Sequence, residues 1–445
     1  MRVANALAAD VASGHLHAGE RLPAQRELAR ELGVAIGTIT RAYALAVERG
    51  LVRAEVGRGT FVRGRPGSPE WRRASGQGGD EGIDLSLYLP LSHLDPPLAP
   101  VLRELSGQSD LSTLLEYQPH AGAEHHRAAG AHWARRFGVD AHLGNVAVCS
   151  GIQHAITVVL SAIAAPGDVV LTEKLTYPGL RAVAHLLRLR LVGVDIDGEG
   201  IVPESLAEAC RQHQPKALYC APSLHNPTAS VSGEARRMAI AEVTEAYNLA
   251  ILEDDVARLL IPSSAAPIAT LAPERTYYIL DTAKAVAAGL SVAYVVTPPA
   301  AFEAISRGIC ATGWMTPPLM AEIATRWLRD GTAMRIAERK RAEAAVRQRL
   351  ARGALGPLTF RAHANSFFIW LELPDPWSAH EFVRAARRRG VFLRPSDAFA
   401  VGRDPPPHAV RVCLSATDAR DQLEKGLGII GDVLSGSPEP ELALV

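Results

Sequence analysis

Residues 64–82, GRPGSPEWRRASGQGGDEG, constrain the chain more than any other segment. Six Gly, two Pro and two Ser in 19 positions sustain neither helical nor strand periodicity. A break of this kind divides the 445 residues into a short head and a long body, each needing its own core. Charge follows the same division. Lys+Arg and Asp+Glu are both 47 over the chain, yet up to Arg73 there are 12 Arg and seven acidic residues. The neutral total therefore conceals a head of +5 and a remainder of −5.

In the head, apolar spacing predicts a helix over about residues 3–13, with breaks at Gly14 and Gly19. A second helix starts near Pro23, a favoured first-turn residue, and stops at Gly33. A third runs from about Gly37 to Glu48 with Ile39, Ala42, Tyr43 and Ala46 on one face, and ends at Gly50. LVRAEVGRGTFVR then alternates apolar and polar residues about Gly57-Arg58-Gly59, as a hairpin does. Three helices and a hairpin make a winged helix-turn-helix. A basic unit of this type lays its last helix in the major groove while flanking arginines meet phosphates. Arg26, Thr38, Thr40, Arg41, Arg58 and Gly59 are the expected contacts with double-stranded operator DNA. The plainer alternatives are a solvated basic face or a protein-interaction module.

After the break, β-rich runs alternate with amphipathic helices: VAVCS, DVVLTE, LRLVGVDI, ALYCAPS, LAILEDD, TYYILD and SVAYVVTP. This alternation predicts an α/β fold, a mostly parallel central sheet with helices on both faces. FFIWLELP, GVFLRPS and AVRVCLSA predict a smaller C-terminal α+β lobe. The expected divisions are residues 1–63, the flexible linker 64–82, and a body over 83–435 with the small lobe from about 330. Hydrophobic residues make up 48% and charged residues 21%, which is ample for two packed cores. Five scattered cysteines without a CxxC pair indicate neither a disulfide framework nor a zinc ribbon. With no signal-like h-region and no uncharged apolar run of about 18 residues, neither secretion nor membrane spanning is expected, and a cytoplasmic protein is.

Four features of the body share a chemical meaning. Ser150-Gly151-Ile152-Gln153-His154 lies between strand and helix, where exposed N–H groups receive a phosphate. Asn226, in HNPT after ALYCAPS, stands at a strand's carboxyl end, where α/β sheets bind ligands. LAILEDD ends in Glu253, Asp254 and Asp255, and an Asp there is placed to pair with a protonated pyridine nitrogen. Lys284 follows YYILD, placed for a Schiff base. Only five lysines stand against 42 arginines, so a lysine there is harder to read as surface filler. Each feature alone has a bland reading, as loop punctuation, a solvated acidic cap or an exposed loop lysine.

RLPAQRELARELGVAIGTITRAYALAVERGLVRAEVGRGTFV resembles the DNA-binding head of GntR-type bacterial regulators. It departs at Ala35 and Ile36, where such heads carry a polar residue followed by Arg. The body resembles the fold-type I, class I aminotransferases, and the combination resembles the MocR subfamily of regulators over nearly the whole chain. The resemblance implies pyridoxal 5′-phosphate (PLP) as cofactor, with Lys284 as its aldimine lysine, Asp254 on the pyridine nitrogen and Asn226 on O3′. It further implies Tyr177 against the ring, Gly151 and Gln153 at the phosphate, Tyr117 reaching a neighbouring subunit's phosphate, and Arg411 for an effector carboxylate. Four positions depart from the pattern. Asp281 and Ala283 replace serines before the lysine, and Ser291 replaces a phosphate-clamping Arg. Ala257 stands where a tyrosine is expected. Loss of an Arg–phosphate bond costs about 1.5–3 kcal/mol, roughly 10- to 100-fold in affinity.

The expectation is a homodimeric transcription regulator whose body senses PLP or an amino-acid-like effector. Two alternatives stay open: an active aminotransferase with an accessory DNA-binding head, and a regulator with a degenerate, PLP-free body. His120, His125, His126 and His132 cluster on or beside one predicted helix without further ligands in sequence, and no metal site is expected there.

Overall fold

The computed structural model describes residues 20–48, 51–55, 59–62, 82–261, 265–356 and 360–438, together with residues 3, 5–7, 10 and 16. Most of the expected first helix, the linker up to residue 81 and Arg58 lie outside the described residues. The chain divides into two compact units, Met1–Glu81 and Gly82–Val445.

The head contains α1 (Gln25–Glu31) and α2 (Ile36–Glu48), followed by strands β1 (Val52–Glu55) and β2 (Gly59–Val62), which pair antiparallel with Val52 opposite Val62. Gly33 turns the chain between the helices at φ +63°, a left-handed conformation that Gly adopts without steric cost. Ile39, Ala42, Tyr43 and Ala46 are buried along one face of α2, as their spacing predicts. Ile39, Tyr43 and Ala46 meet Leu22, Ala29, Val52 and Val62 in a small core. The Tyr43 hydroxyl donates to Pro23 O at 2.8 Å and so ties α2 to the chain entering α1.

The body is built on a seven-stranded sheet. In chain order its strands are β3 (Val146–Cys149), β4 (Val169–Glu173), β5 (Arg190–Val194), β6 (Ala217–Cys220), β7 (Ala250–Asp254), β8 (Thr276–Asp281) and β9 (Ala293–Val296). Their spatial order is β3-β9-β8-β7-β6-β4-β5. Only β9 runs against its neighbours. β3, β4, β8 and β9 are buried at every position, so both faces are covered and the strands read as continuous apolar runs. Alternate residues serve opposite faces. Tyr277 and Ile279 pack toward Ile156, Val159 and Leu160 of α4 (Ile152–Ile163). Tyr278 and Leu280 pack toward Trp133 of α3 (Glu124–Arg135).

The smaller lobe is an antiparallel four-stranded sheet in the order β10 (Phe360–Arg361), β11 (Phe368–Glu372), β13 (Ala409–Cys413), β12 (Arg394–Pro395). Arg347, on the 24-residue helix Thr332–Leu355, fastens this lobe. Its guanidinium is fully buried, pairs with Glu343 at 2.7 Å and donates to the carbonyls of Leu414, Thr417 and Asp418. Among the described residues no helix is long and apolar enough to cross a membrane.

Candidate functional site

The parallel sheet delivers its chemistry to one edge. β3, β6, β7 and β8 all end there, and their carboxyl ends lead into Ser150-Gly151, Asn226, Asp254 and Asp281 through Lys284. The three acids ending LAILEDD part company. Glu253 turns to buried Arg237 and accepts the N–H groups of Ile268 and Ala269. Asp255 accepts from the Tyr278 hydroxyl at 2.8 Å. Asp254 alone faces the site, accepting from the Tyr219 hydroxyl at 2.6 Å and from Val256 N–H at 3.2 Å.

Lys284 Nζ donates to Tyr88 O at 2.9 Å and lies 4.4 Å from the centre of the Tyr88 ring. Burial lowers its ammonium from the ordinary lysine value, Asp281 opposes that, and Arg411 adds to it. Asp254 is raised to about 6 by burial, although the Tyr219 hydroxyl and Val256 N–H favour its charged form. Tyr177 is pushed up to about 12 by burial and by the carboxylates of Asp254 and Asp281. Its hydroxyl donates to Gln153 Oε1 at 3.3 Å, while Gln153 Nε2 donates to Gly179 O at 2.8 Å. Gly179 is required by this packing, since a Cβ there would lie 2.2 Å from Tyr177 Cε1 and 2.4 Å from Gln153 Oε1.

Arg411, on β13, donates to Asn226 Oδ1 at 2.6 Å and to Ser86 O at 2.9 Å. Two residues expected to hold different ligand groups are thus bonded to each other. Arg411 Nε and the Tyr88 hydroxyl are buried without a hydrogen-bond partner among the described residues. Tyr117 stands apart on the surface, 82% exposed, with its ring 5.6 Å from that of Trp314.

The arrangement fits PLP at one end only. A lysine, an acid, an amide and a tyrosine suited to the ring gather at the carboxyl edge of the sheet. At the phosphate end, however, the Ile152 N–H that opens α4 donates to Asp281 Oδ2 at 2.7 Å, and Ala283 N–H donates to Oδ1. Gly151 has φ +81°, and a Cβ on it would lie 2.7 Å from Ser291 Oγ. Ser291 itself, at φ +49°, donates to Ser150 O at 3.3 Å. A carboxylate and a serine of the chain occupy the ground a phosphate needs, so the cup does not fit that group. Asp281 is 2% exposed, and burial raises it to about 6 against the pull of Ala283 N–H, Lys284 and Ile152 N–H. Ala257, where a tyrosine was expected, is buried in the core and offers no hydroxyl.

In the head, Arg26, Thr38, Thr40 and Arg41 are all exposed around the start of α2. Thr40 directs its hydroxyl at Gln25 Oε1, 2.8 Å away on α1. Gly59 opens β2 at φ +121°, and a Cβ there would lie 2.8 Å from Arg21 Nε. Ile36 is half exposed at the first position of α2.

The histidines have a partner that sequence reasoning missed. His125 and His126 Nε2 approach Glu322 Oε2 at 3.0 and 3.2 Å, and the three could hold a metal ion. Glu322 Oε1 already pairs with Arg326 at 2.7 Å, and that cation weighs against a second one. His120 turns away to Trp314 O.

Comparison with known proteins adds to this geometry. Residues 82–430 match the family described as aminotransferase class I and II, and residues 1–62 match bacterial regulatory proteins of the gntR family. YdeF of Bacillus subtilis, described as an uncharacterized HTH-type transcriptional regulator, is 31% identical over 97% of this chain and 93% of its own. The vitamin B6 salvage pathway transcriptional repressor PtsJ of Salmonella typhimurium is 27% identical over 91% of each chain. The 2-aminoadipate transaminase of Thermus thermophilus is 26% identical over 80% of this chain and 89% of its own. Among solved structures, a kynurenine aminotransferase of Pyrococcus horikoshii superposes with a TM-score of 0.75 at 21% identity, covering 83% of this chain and 95% of that one, which is a likeness of fold.

Proposed function

Because this chain belongs to the HTH-type transcriptional regulators that join a GntR head to a class I and II aminotransferase body, we propose that it binds operator DNA and that its body acts as a small-molecule sensor. The observation that carries the sensor reading is the Asp281–Ile152 contact, which fills the phosphate cup with the chain's own carboxylate. Efficient transamination needs a cofactor held firmly enough to survive each turnover, and this cup works against that. The 2-aminoadipate transaminase among the relatives keeps the enzyme reading open to test.

The chain's own residues divide the work. Exposed Arg26, Thr38, Thr40 and Arg41 meet DNA, with Gly59 and Arg58 at the wing. In the body, Lys284 offers an amine whose neutral form is favoured by burial, Asp254 a carboxyl held by Tyr219, and the Arg411–Asn226 pair a polar wall. A homodimer suits two operator half-sites about 34–36 Å apart. Leu115, Tyr117 and Trp314 are exposed apolar side chains on the body that suit such pairing. A ligand shifts the body between two shapes only to the extent that it binds them unequally, and the head spacing follows.

The test is a gel-shift titration of the full chain on the region upstream of its own or a neighbouring gene, with added amino acids as a parallel arm. Sequence-dependent retardation is expected at low salt, and its absence sinks the regulator reading. Release of keto acid on amino-acid addition would instead establish the enzyme.

A further inference from the structure

The first turn of a helix carries unsatisfied N–H groups and attracts an anion. In this body the chain supplies that anion. Asp281 leaves the end of β8 and takes the Ile152 N–H of α4 on one oxygen and the Ala283 N–H on the other. Ser291 closes the space beside Gly151, where a Cβ would lie 2.7 Å from its Oγ. Meanwhile the opposite end of the pocket keeps its reactive and polar groups. The Asp254 carboxylate acts electrostatically on both Lys284 and Tyr177, and Arg411 Nε and the Tyr88 hydroxyl are buried donors without acceptors among the described residues.

Building on the sensor reading above, we infer that the pocket takes an unphosphorylated carbonyl ligand, a ring aldehyde whose far arm ends in a hydroxyl, and turns away its phosphorylated form. A hydroxyl donates to the Asp281 carboxylate. A phosphate sets a second anion against the first, at a helix terminus that has no free N–H to spare at Ile152. The aldehyde end is suited to Lys284: the neutral amine forms a C=N bond as the C=O bond breaks, and the oxygen leaves as water with both amine protons. No oxidant or reductant enters this step. The unpartnered donors of Arg411 and Tyr88 are available to oxygen substituents of the ring.

The experiment titrates the full chain with pyridoxal and with pyridoxal 5′-phosphate, followed by absorbance and by calorimetry. The forms compared are the unaltered chain, Asp281→Asn, the double variant Asp281→Ser with Ser291→Arg, and Lys284→Ala. The unaltered chain is expected to bind pyridoxal at least ~10-fold more tightly than its phosphate, since one charged contact of this kind is worth roughly 10- to 100-fold. Asp281→Asn should raise affinity for the phosphorylated compound by about that factor and leave pyridoxal little changed. The double variant should reverse the order, and Lys284→Ala should abolish the absorbance change with both compounds. Equal or tighter binding of the phosphate by the unaltered chain overturns the inference while leaving a ligand-binding body intact, and so does an unchanged ratio in Asp281→Asn. Binding of neither compound to any form overturns the inference alone, since the sensor reading stands or falls with the gel shift and its amino-acid arm.

Discussion

Replacing Asp281 by Asn removes a charge while keeping the shape of the protonated acid. In the folded body the carboxyl is raised from 3.8 to about 6 by burial, despite Ala283 N–H, Lys284 and Ile152 N–H. The native state therefore holds the proton more tightly than the unfolded chain does. Its stability falls as pH rises from about 4 to about 6 and is level above that window. A shift of about two units at 1.36 kcal/mol each corresponds to about 3 kcal/mol. Asp281→Asn cannot ionise and escapes this loss. The stability of the variant relative to the parent should thus increase by about 3 kcal/mol between pH 4 and pH 7, whatever constant offset the substitution introduces. Asp254 is raised in the same direction, in part by the Asp281 charge itself, so removing that charge relaxes Asp254 too and adds to the difference with the same sign. Tryptophan fluorescence during urea unfolding at pH 4, 5, 6 and 7 measures it, because five of the six tryptophans, all but Trp71, lie in the body. A difference that stays constant across that range, or one that shrinks with rising pH, refutes the reasoning.

Tyr219→Phe removes the donor to Asp254 and raises that carboxyl further, so the body should lose about 1.5–3 kcal/mol at pH 7 and much less at pH 4, by the same unfolding measurement. Arg347→Met leaves the carbonyls of Leu414, Thr417 and Asp418 without their donor, while Glu343 keeps Arg420, and should destabilise the body by about 3–5 kcal/mol, read from urea midpoints at pH 7. Gly179→Ala displaces Tyr177 and Gln153 and should weaken pyridoxal binding, measured by calorimetry, with the urea midpoint nearly unchanged. Arg41→Ala should weaken binding to all DNA sequences alike and lower the salt slope by about 1, followed by fluorescence anisotropy over a salt series.

Local periodicity makes much of this molecule readable in its sequence. The Ile39, Ala42, Tyr43, Ala46 stripe is the buried face of α2, and each β-rich run from VAVCS to SVAYVVTP becomes a strand of the central sheet, because burial on one or both faces writes itself into neighbouring residues. The ends of those strands also marked where chemistry gathers. What stayed hidden joins residues distant in sequence. Tyr88 lies under Lys284 from 196 positions away, Arg411 finds Asn226 across 185, and Glu322 meets His125 across 197. No spacing rule reaches so far. Asp281 is the instructive middle case. Its charge was legible as a conflict with phosphate, but only the fold shows that the conflict is resolved by the carboxylate taking the N–H itself.

That same carboxylate defines the body at rest. Where a helix terminus depends on a diffusible anion, departure of the anion leaves unpaired N–H groups and a frayed first turn. Here α4 carries its counterion by covalent bond and keeps it whether or not a ligand is present. A signal to the head must be a choice between two solid arrangements, with an amplitude set by the ligand's preference for one of them.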